Sequence, residues 1–189
     1  MRNDIERVLI DEAVIEKRLD AMAAAIERDF PQGTLVVIIL LKGALVFAAD
    51  LLRRIARPIE IECLNVASYH GGTQSSCTVD FLDRQFPEVR GRHVLLLDDI
   101  LDTGRTLHAV IARLHGEGAT AVHTGVLLAK DKARAAAVSA DYVGFEIGDE
   151  FVVGYGLDYM GKYRNLPYVG VLKAAVVGAG EAGTRVAGA

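Results

Sequence analysis

Apolar positions are spaced along the chain in two ways. Ile15, Leu19, Met22 and Ile26 recur at steps of four, three and four residues, the spacing of one helix face, and Pro31 and Gly33 punctuate the end of that helix. Leu35 to Leu40 is a continuous apolar run of strand length, the pattern of a strand buried on both faces of a parallel sheet. Lys42 and Gly43 break that run, and helical spacing resumes from Ala44 to Ile55. Ile59 to Ala67 begins with alternation and reads as a strand, and Val94 to Leu97 is a second buried strand. Thr106 to His115 predicts a helix stopped by Gly116 and Gly118. Ala121 to Leu128 then reads as a strand, Asp131 to Val138 as a helix, Tyr142 to Phe145 as a strand and Val169 to Leu172 as a last strand. Strands alternating with helices predict an α/β fold with a central parallel sheet flanked by helices on both faces.

Composition narrows the class. The 189 residues suit a single domain, 51% of them are hydrophobic, and the net charge is −4. Without a basic surplus there is no signature of a nucleic-acid partner. The longest apolar runs fall far short of the ~20 residues a bilayer span needs, so no membrane association is expected. The acidic, amphipathic N-terminus does not read as a signal peptide, and Cys63 and Cys77 form neither a disulfide framework nor a CxxC pair. These features predict a cytoplasmic protein. The division expected is one domain over residues 1–175 and a Gly/Ala-rich tail over 176–189, where Gly178, Gly180 and Gly183 space as GxGxxG with too little chain after them for a βαβ unit.

The chemistry is densest in Val94 to Leu107, VLLLDDILDTGRTL. A buried strand delivers Asp98 and Asp99 at its C-terminal end, the edge at which open parallel sheets bind ligands. Two adjacent carboxylates suit a hard divalent ion or the hydroxyls of a sugar. Asp102, Thr103, Gly104, Arg105 and Thr106 then turn into a helix, and the turn amides, two hydroxyls and the helix N-terminus form an anion cradle. A solvated acidic turn with a helix cap would be the ordinary reading of any one of these features. The ordered set is more specific than that.

This stretch resembles the ribose-phosphate motif of type I phosphoribosyltransferases, with Asp98 where some members carry Glu. Leu41-Lys42-Gly43, Lys130 in LLAKDKAR and the stretch from Ala140 to Leu172 narrow the resemblance to the hypoxanthine-guanine phosphoribosyltransferases, over about residues 5 to 173. The resemblance implies the type I phosphoribosyltransferase fold, with a small hood built from chain-terminal segments and a mobile loop. It implies that Asp98 and Asp99 handle the ribose hydroxyls and Mg2+, Asp98 directly or through water, and that residues 102 to 106 wrap the 5-phosphate. Lys42 and Gly43 would bind pyrophosphate across a cis peptide between Leu41 and Lys42. Arg164 would also meet the pyrophosphate. Lys130 would donate to the purine O6 and N7 edge, Phe151 would stack on the base, and the Val152 backbone would read its N1 and C2 edge. Asp158 would lie near the base and a second metal, and Asp102 would be the general base toward N7. Ser68 and Tyr69 would begin a lid running through Thr78. Gly148, where many members have Pro, predicts a looser turn.

The implied reaction joins hypoxanthine and/or guanine to 5-phosphoribosyl pyrophosphate, giving IMP and/or GMP and pyrophosphate, in a homodimer or homotetramer. Adenine, with an amino donor where Lys130 would donate, would be rejected. The alternative is a regulatory protein on the same fold that senses a nucleotide or 5-phosphoribosyl pyrophosphate. Such a protein would be expected to carry a basic face or an added DNA-binding segment, and this acidic chain shows neither.

Overall fold

In the computed structural model, residues 1–68, 79–83, 85–133 and 135–177 are described. Their strands are β1 (Ile5–Ile10), β2 (Leu35–Leu41), β3 (Ile59–Ser68), β4 (Val79–Phe81), β5 (His93–Leu101), β6 (Ala121–Lys130), β7 (Tyr142–Ile147), β8 (Val152–Val153) and β9 (Val169–Leu172). The helices are α1 (Glu12–Asp29), α2 (Ala44–Leu52) and α3 (Arg105–Gly116). The main sheet has six strands in the order β4-β3-β2-β5-β6-β7. All of its neighbouring pairs are parallel except β3 with β4.

The unbroken apolar strands follow from this layering. Leu35, Val37 and Ile39 of β2 join the core packed by α1 and α2, whereas Val36, Ile38 and Leu40 join the core packed by α3. Leu95 and Leu97 of β5 divide from Val94 and Leu96 in the same way. Successive side chains leave a strand on opposite faces, so both must be apolar when helices cover both. On α1, Ile15, Leu19, Met22 and Ile26 are all buried, as their spacing predicts.

Three elements differ from the sequence expectation. Residues 131 to 138 form bends and turns rather than a helix among the described residues. The segment is drawn onto the turn after β5, where the amides of Ala135 and Ala136 donate to the Thr103 carbonyl at 3.0 and 3.2 Å. Those amides therefore bond to a distant loop instead of to their own segment. β5 also runs on past Leu97 through both aspartates to Leu101. Finally, β9 leaves the main sheet and lies between β1 and β8 in an antiparallel three-stranded hood. This is the hood of chain-terminal segments that the resemblance implies.

The expected mobile loop from His70 to Thr78 lies outside the described residues, as do Tyr69, Cys77 and the glycines from Gly178 on. Val176 and Val177 pack against the hood cluster of Val153, Tyr163, Leu166 and Leu172. The Tyr159 hydroxyl donates to the Val177 carbonyl at 2.8 Å.

Candidate active site

The adjacent C-terminal ends of β2 and β5 open onto a cleft of about 320 Å³. Leu40, Leu41 and Gly43 after β2 line it, together with Asp98 to Gly104, Thr106 and Leu107. Asp158 and Arg164 reach it from the chain between β8 and β9. Gly104 begins α3 with a φ of +78°, which only glycine adopts at low cost, and the Val138 side chain and Ala136 carbonyl leave no room for a Cβ. The first turn of α3 leaves backbone amides without intrahelical partners, so an anion in this turn meets N–H donors and the positive end of the helix dipole. The Leu41–Lys42 peptide is cis, as the resemblance implies. Leu41 and Gly43 line the cleft; Lys42 is exposed beside it.

The two carboxylates on the cleft floor are electrostatically unsettled. Burial pushes Asp98 well above the usual carboxylate range, and the neighbouring Asp99 charge pushes it further. Burial also raises Asp99, although hydrogen bonding and the Arg164 charge pull it back. Asp98 Oδ1 accepts from the Asp99 amide at 2.9 Å, and Asp99 Oδ1 accepts from the Ile100 amide at 2.8 Å. Such a pair calls for a cation. Among the described residues no group of three or more His, Cys, Asp or Glu side chains forms a metal cage. A pair of carboxylates without a cage fits magnesium, which keeps water and substrate phosphates among its ligands. Asp158 is already engaged: its carboxylate meets Arg164 at 2.6 Å and accepts from the Gly161 amide at 2.7 Å. Arg164 in turn donates to the Gly156 carbonyl at 2.7 Å, which fixes the guanidinium at the cleft.

A second cavity of about 280 Å³ adjoins the first and shares Asp99, Ile100, Asp102 and Asp158 with it. Lys130, Phe151, Val152 and Leu157 complete its lining. Phe151 is 46% exposed, and Tyr159 supports it edge-on at 5.4 Å between centroids. The ring therefore has an apolar surface available to a flat ligand.

Lys130 approaches Asp102 at 3.5 Å and Asp149 at 3.1 Å. Lys132, which the sequence reading did not single out, is closer to both, at 2.6 and 2.8 Å. Its ammonium is held above its ordinary pKa by Asp102 and then Asp149, and Asp149 is held below the ordinary carboxylate value by the two lysines. The only sequence trace of this arrangement is the Lys-Asp-Lys of LLAKDKAR, which as a helix would have sent the two lysines to different faces.

The structure thus gathers Gly43, Asp98, Asp99, Asp102, Thr103, Gly104, Thr106, Lys130, Phe151, Val152, Asp158 and Arg164 around two adjoining cavities. Arg105 opens α3 with an exposed side chain and lines neither cavity. Ser68 ends β3, and Tyr69 lies outside the described residues. Asp149 and Lys132 are the additions.

A twisted parallel sheet with an acidic strand end and a glycine-initiated anion turn defines a nucleotide- or sugar-phosphate-handling protein. The model of the phosphoribosyl transferase domain family matches residues 9–160, and the chain belongs to that family of transferases. It is 42% identical to the hypoxanthine-guanine phosphoribosyltransferase of Staphylococcus epidermidis over 93% of this chain and 98% of that protein. The Bacillus subtilis enzyme of the same name is equally similar, 42% over the same shares. The crystal structure of a hypoxanthine phosphoribosyltransferase from Staphylococcus aureus superposes with a TM-score of 0.88 at 40% identity, covering 93% of this chain and 96% of that one.

Proposed function

We propose that the protein is a purine-salvage enzyme that transfers the 5-phosphoribosyl group of 5-phosphoribosyl pyrophosphate to hypoxanthine and/or guanine, releasing pyrophosphate and IMP and/or GMP. The observation that carries the reading is the junction of the two cavities at Asp99, Asp102 and Asp158. An anion turn and acidic floor lie on one side of that junction, and an aromatic face with a lysine on the other.

The reaction breaks the bond between ribose C1 and pyrophosphate and forms one from C1 to a purine nitrogen. In this reading the amides from Thr103 to Thr106 and the hydroxyls of Thr103 and Thr106 hold the 5-phosphate. Asp98 and Asp99 orient the ribose hydroxyls. Gly43, Lys42 and Arg164 receive the pyrophosphate, and their cationic groups oppose the charge that grows on it as it leaves. Phe151 stacks on the purine, the Val152 backbone meets its N1 and C2 edge, and Lys130 donates toward O6. Asp102, which lines both cavities, takes the proton from N7 as the base becomes nucleophilic. Asp98 and Asp99 would hold one Mg2+ and Asp158 would lie near a second; when bound, Mg2+ supplies Lewis-acid neutralisation of the pyrophosphate. Ser68 and Tyr69 begin the segment that would exclude water from the activated ribose.

The regulatory alternative is disfavoured. It gives no reason for a general base, a base-stacking ring and a lysine donor to converge on a phosphate cleft, and the full-length relatives carry the names of enzymes. We further infer a cytoplasmic enzyme with one domain over residues 1–175 and a short extension over 176–189. No helix among the described residues is long and apolar enough to cross a membrane.

We also infer a homodimer or homotetramer. An apolar groove of about 480 Å³ between α2 and β3 is lined by Ile39, Leu45, Leu52, Ile59 and Ile61, with Leu45 50% and Ile61 53% exposed. A continuous apolar groove of this kind fits a subunit contact.

Asp102→Asn tests the mechanism. Turnover is expected to fall by about 10²–10⁴, the usual worth of a positioned general base, with the KM for 5-phosphoribosyl pyrophosphate little changed. Full turnover in this variant would remove Asp102 from the role.

A further inference from the structure

Lys132 lines neither cavity, yet it makes the closest lysine contact to Asp102, one of three carboxylates that line both. We propose that Lys132 is a positioning residue: it holds the Asp102 carboxylate and so leaves the Lys130 ammonium available to the purine. This inference rests on the assignment of Asp102 and Lys130 to the base-binding side.

Two ammonium groups and two carboxylates meet in one cluster. Lys132 stands 2.6 Å from Asp102 Oδ1, while Lys130 stands 3.5 Å from Asp102 Oδ2. Both share Asp149 Oδ1, Lys132 at 2.8 Å and Lys130 at 3.1 Å. In each case Lys132 has the shorter contact. The Lys132 contact to Asp102 is a close ion pair whose angles do not make a hydrogen bond, and the Lys130 contact to Asp102 is a looser one; both lysines hydrogen-bond to Asp149. Without Lys132, Lys130 would be the only ammonium in the cluster among the described residues. Its charge would then be drawn onto Asp102, and a purine would have to break that pair before it could receive either group.

The backbone explains how Lys132 reaches this place. The described residues between 131 and 138 are not helical; the Asp131 amide donates to the Ile147 carbonyl at 2.8 Å, and the Ala135 and Ala136 amides donate to the Thr103 carbonyl. Lys132 is therefore pinned between two anchors, one on β7 and one on the anion turn. Its side chain is 30% exposed, so it is accessible to substitution without opening the core.

The same anchors supply the discriminating readout. If Lys132 served only to brace the segment against Thr103, its removal would disturb the anion turn and weaken binding of 5-phosphoribosyl pyrophosphate. A positioning role predicts a different split. In Lys132→Met the KM for hypoxanthine or guanine is expected to rise about tenfold, the order of one lost charge-assisted contact, with the KM for 5-phosphoribosyl pyrophosphate within about twofold of the parent. Lys132→Arg, which keeps the charge, is expected to recover most of the loss. Lys132→Gln is a second neutral variant with the same expected outcome, so the test does not depend on one protein folding.

An unchanged purine KM in either folded neutral variant would overturn the proposal, as would a parallel rise in both KM values. If the parent protein forms no nucleotide from any purine, the functional reading fails and this inference falls with it. A parent that is active and loses activity in Asp102→Asn, beside a neutral Lys132 variant with parental kinetics, sinks this inference alone.

Discussion

The Asp99 carboxylate lies directly over the Cα of Gly43, in the space a Cβ would occupy. The end of β5 and the start of α2 thus meet without a side chain between them. Asp99 cannot readily swing away, because its Oδ1 is bonded to the Ile100 amide. On the other side, the Gly43 carbonyl packs against the Cα of Gly156, which has a φ of +104°. Three segments far apart in sequence therefore set the position of one acidic group.

Gly43→Ala follows from this contact. The added methyl must displace the Asp99 carboxylate or the Leu41–Gly43 turn, and either moves a substrate-facing group by about an ångström. Loss of kcat/KM on the order of 10²-fold is expected from such a misplacement, with the protein still folded. Steady-state kinetics beside a thermal melt would check it; parental activity would show that Asp99 is not held where its role requires.

Asp98 links the site to stability. Its folded-state pKa is raised by burial and by Asp99, so between the ordinary carboxylate pKa and this raised value the native state binds a proton that the unfolded chain has released. The contribution of this group is fully present below the ordinary carboxylate pKa and is lost as pH rises through the elevated folded value. Asp98→Asn removes the cost of either burying this charge or taking up a proton to neutralise it. The unliganded variant is expected to be more stable at neutral pH than the parent, with a flatter dependence of Tm on pH across the acidic to neutral range, while losing metal-dependent turnover. A lower Tm at neutral pH would contradict the assignment of Asp98 as an electrostatic cost carried for function.

The apolar groove beside α2 gives a third outcome. Ile61→Glu places a charge on a half-exposed position of β3 that lines the groove. Sedimentation velocity is expected to show an oligomer for the parent and a smaller species for the variant. A monomeric parent, or an unchanged assembly in Ile61→Glu, would remove the groove as a subunit contact.

The parts of the fold legible in sequence were those whose patterns are local. The helical spacing of Ile15, Leu19, Met22 and Ile26 and the unbroken run of β2 each encode one element and its burial. The aspartates of β5 and the turn after them were legible for the same reason, since strand, acids and glycine are contiguous. β1 was not singled out, because only Ile10 of it is buried and its partner β9 lies more than 150 residues away. Residues 131 to 138 were misread because an alanine-rich segment favours a helix in isolation. The Thr103 carbonyl, supplied by a distant turn, overrides that preference. Lys132 was hidden by the same error, since its meeting with Asp102 depends on the irregular backbone.

The most direct test of the functional account is nucleotide formation by the purified protein from 5-phosphoribosyl pyrophosphate and each of hypoxanthine, guanine, xanthine and adenine, with and without magnesium. The account predicts magnesium-dependent IMP or GMP and pyrophosphate from hypoxanthine or guanine, and no product from adenine. No nucleotide from hypoxanthine or guanine, in folded protein that still binds 5-phosphoribosyl pyrophosphate, would contradict it.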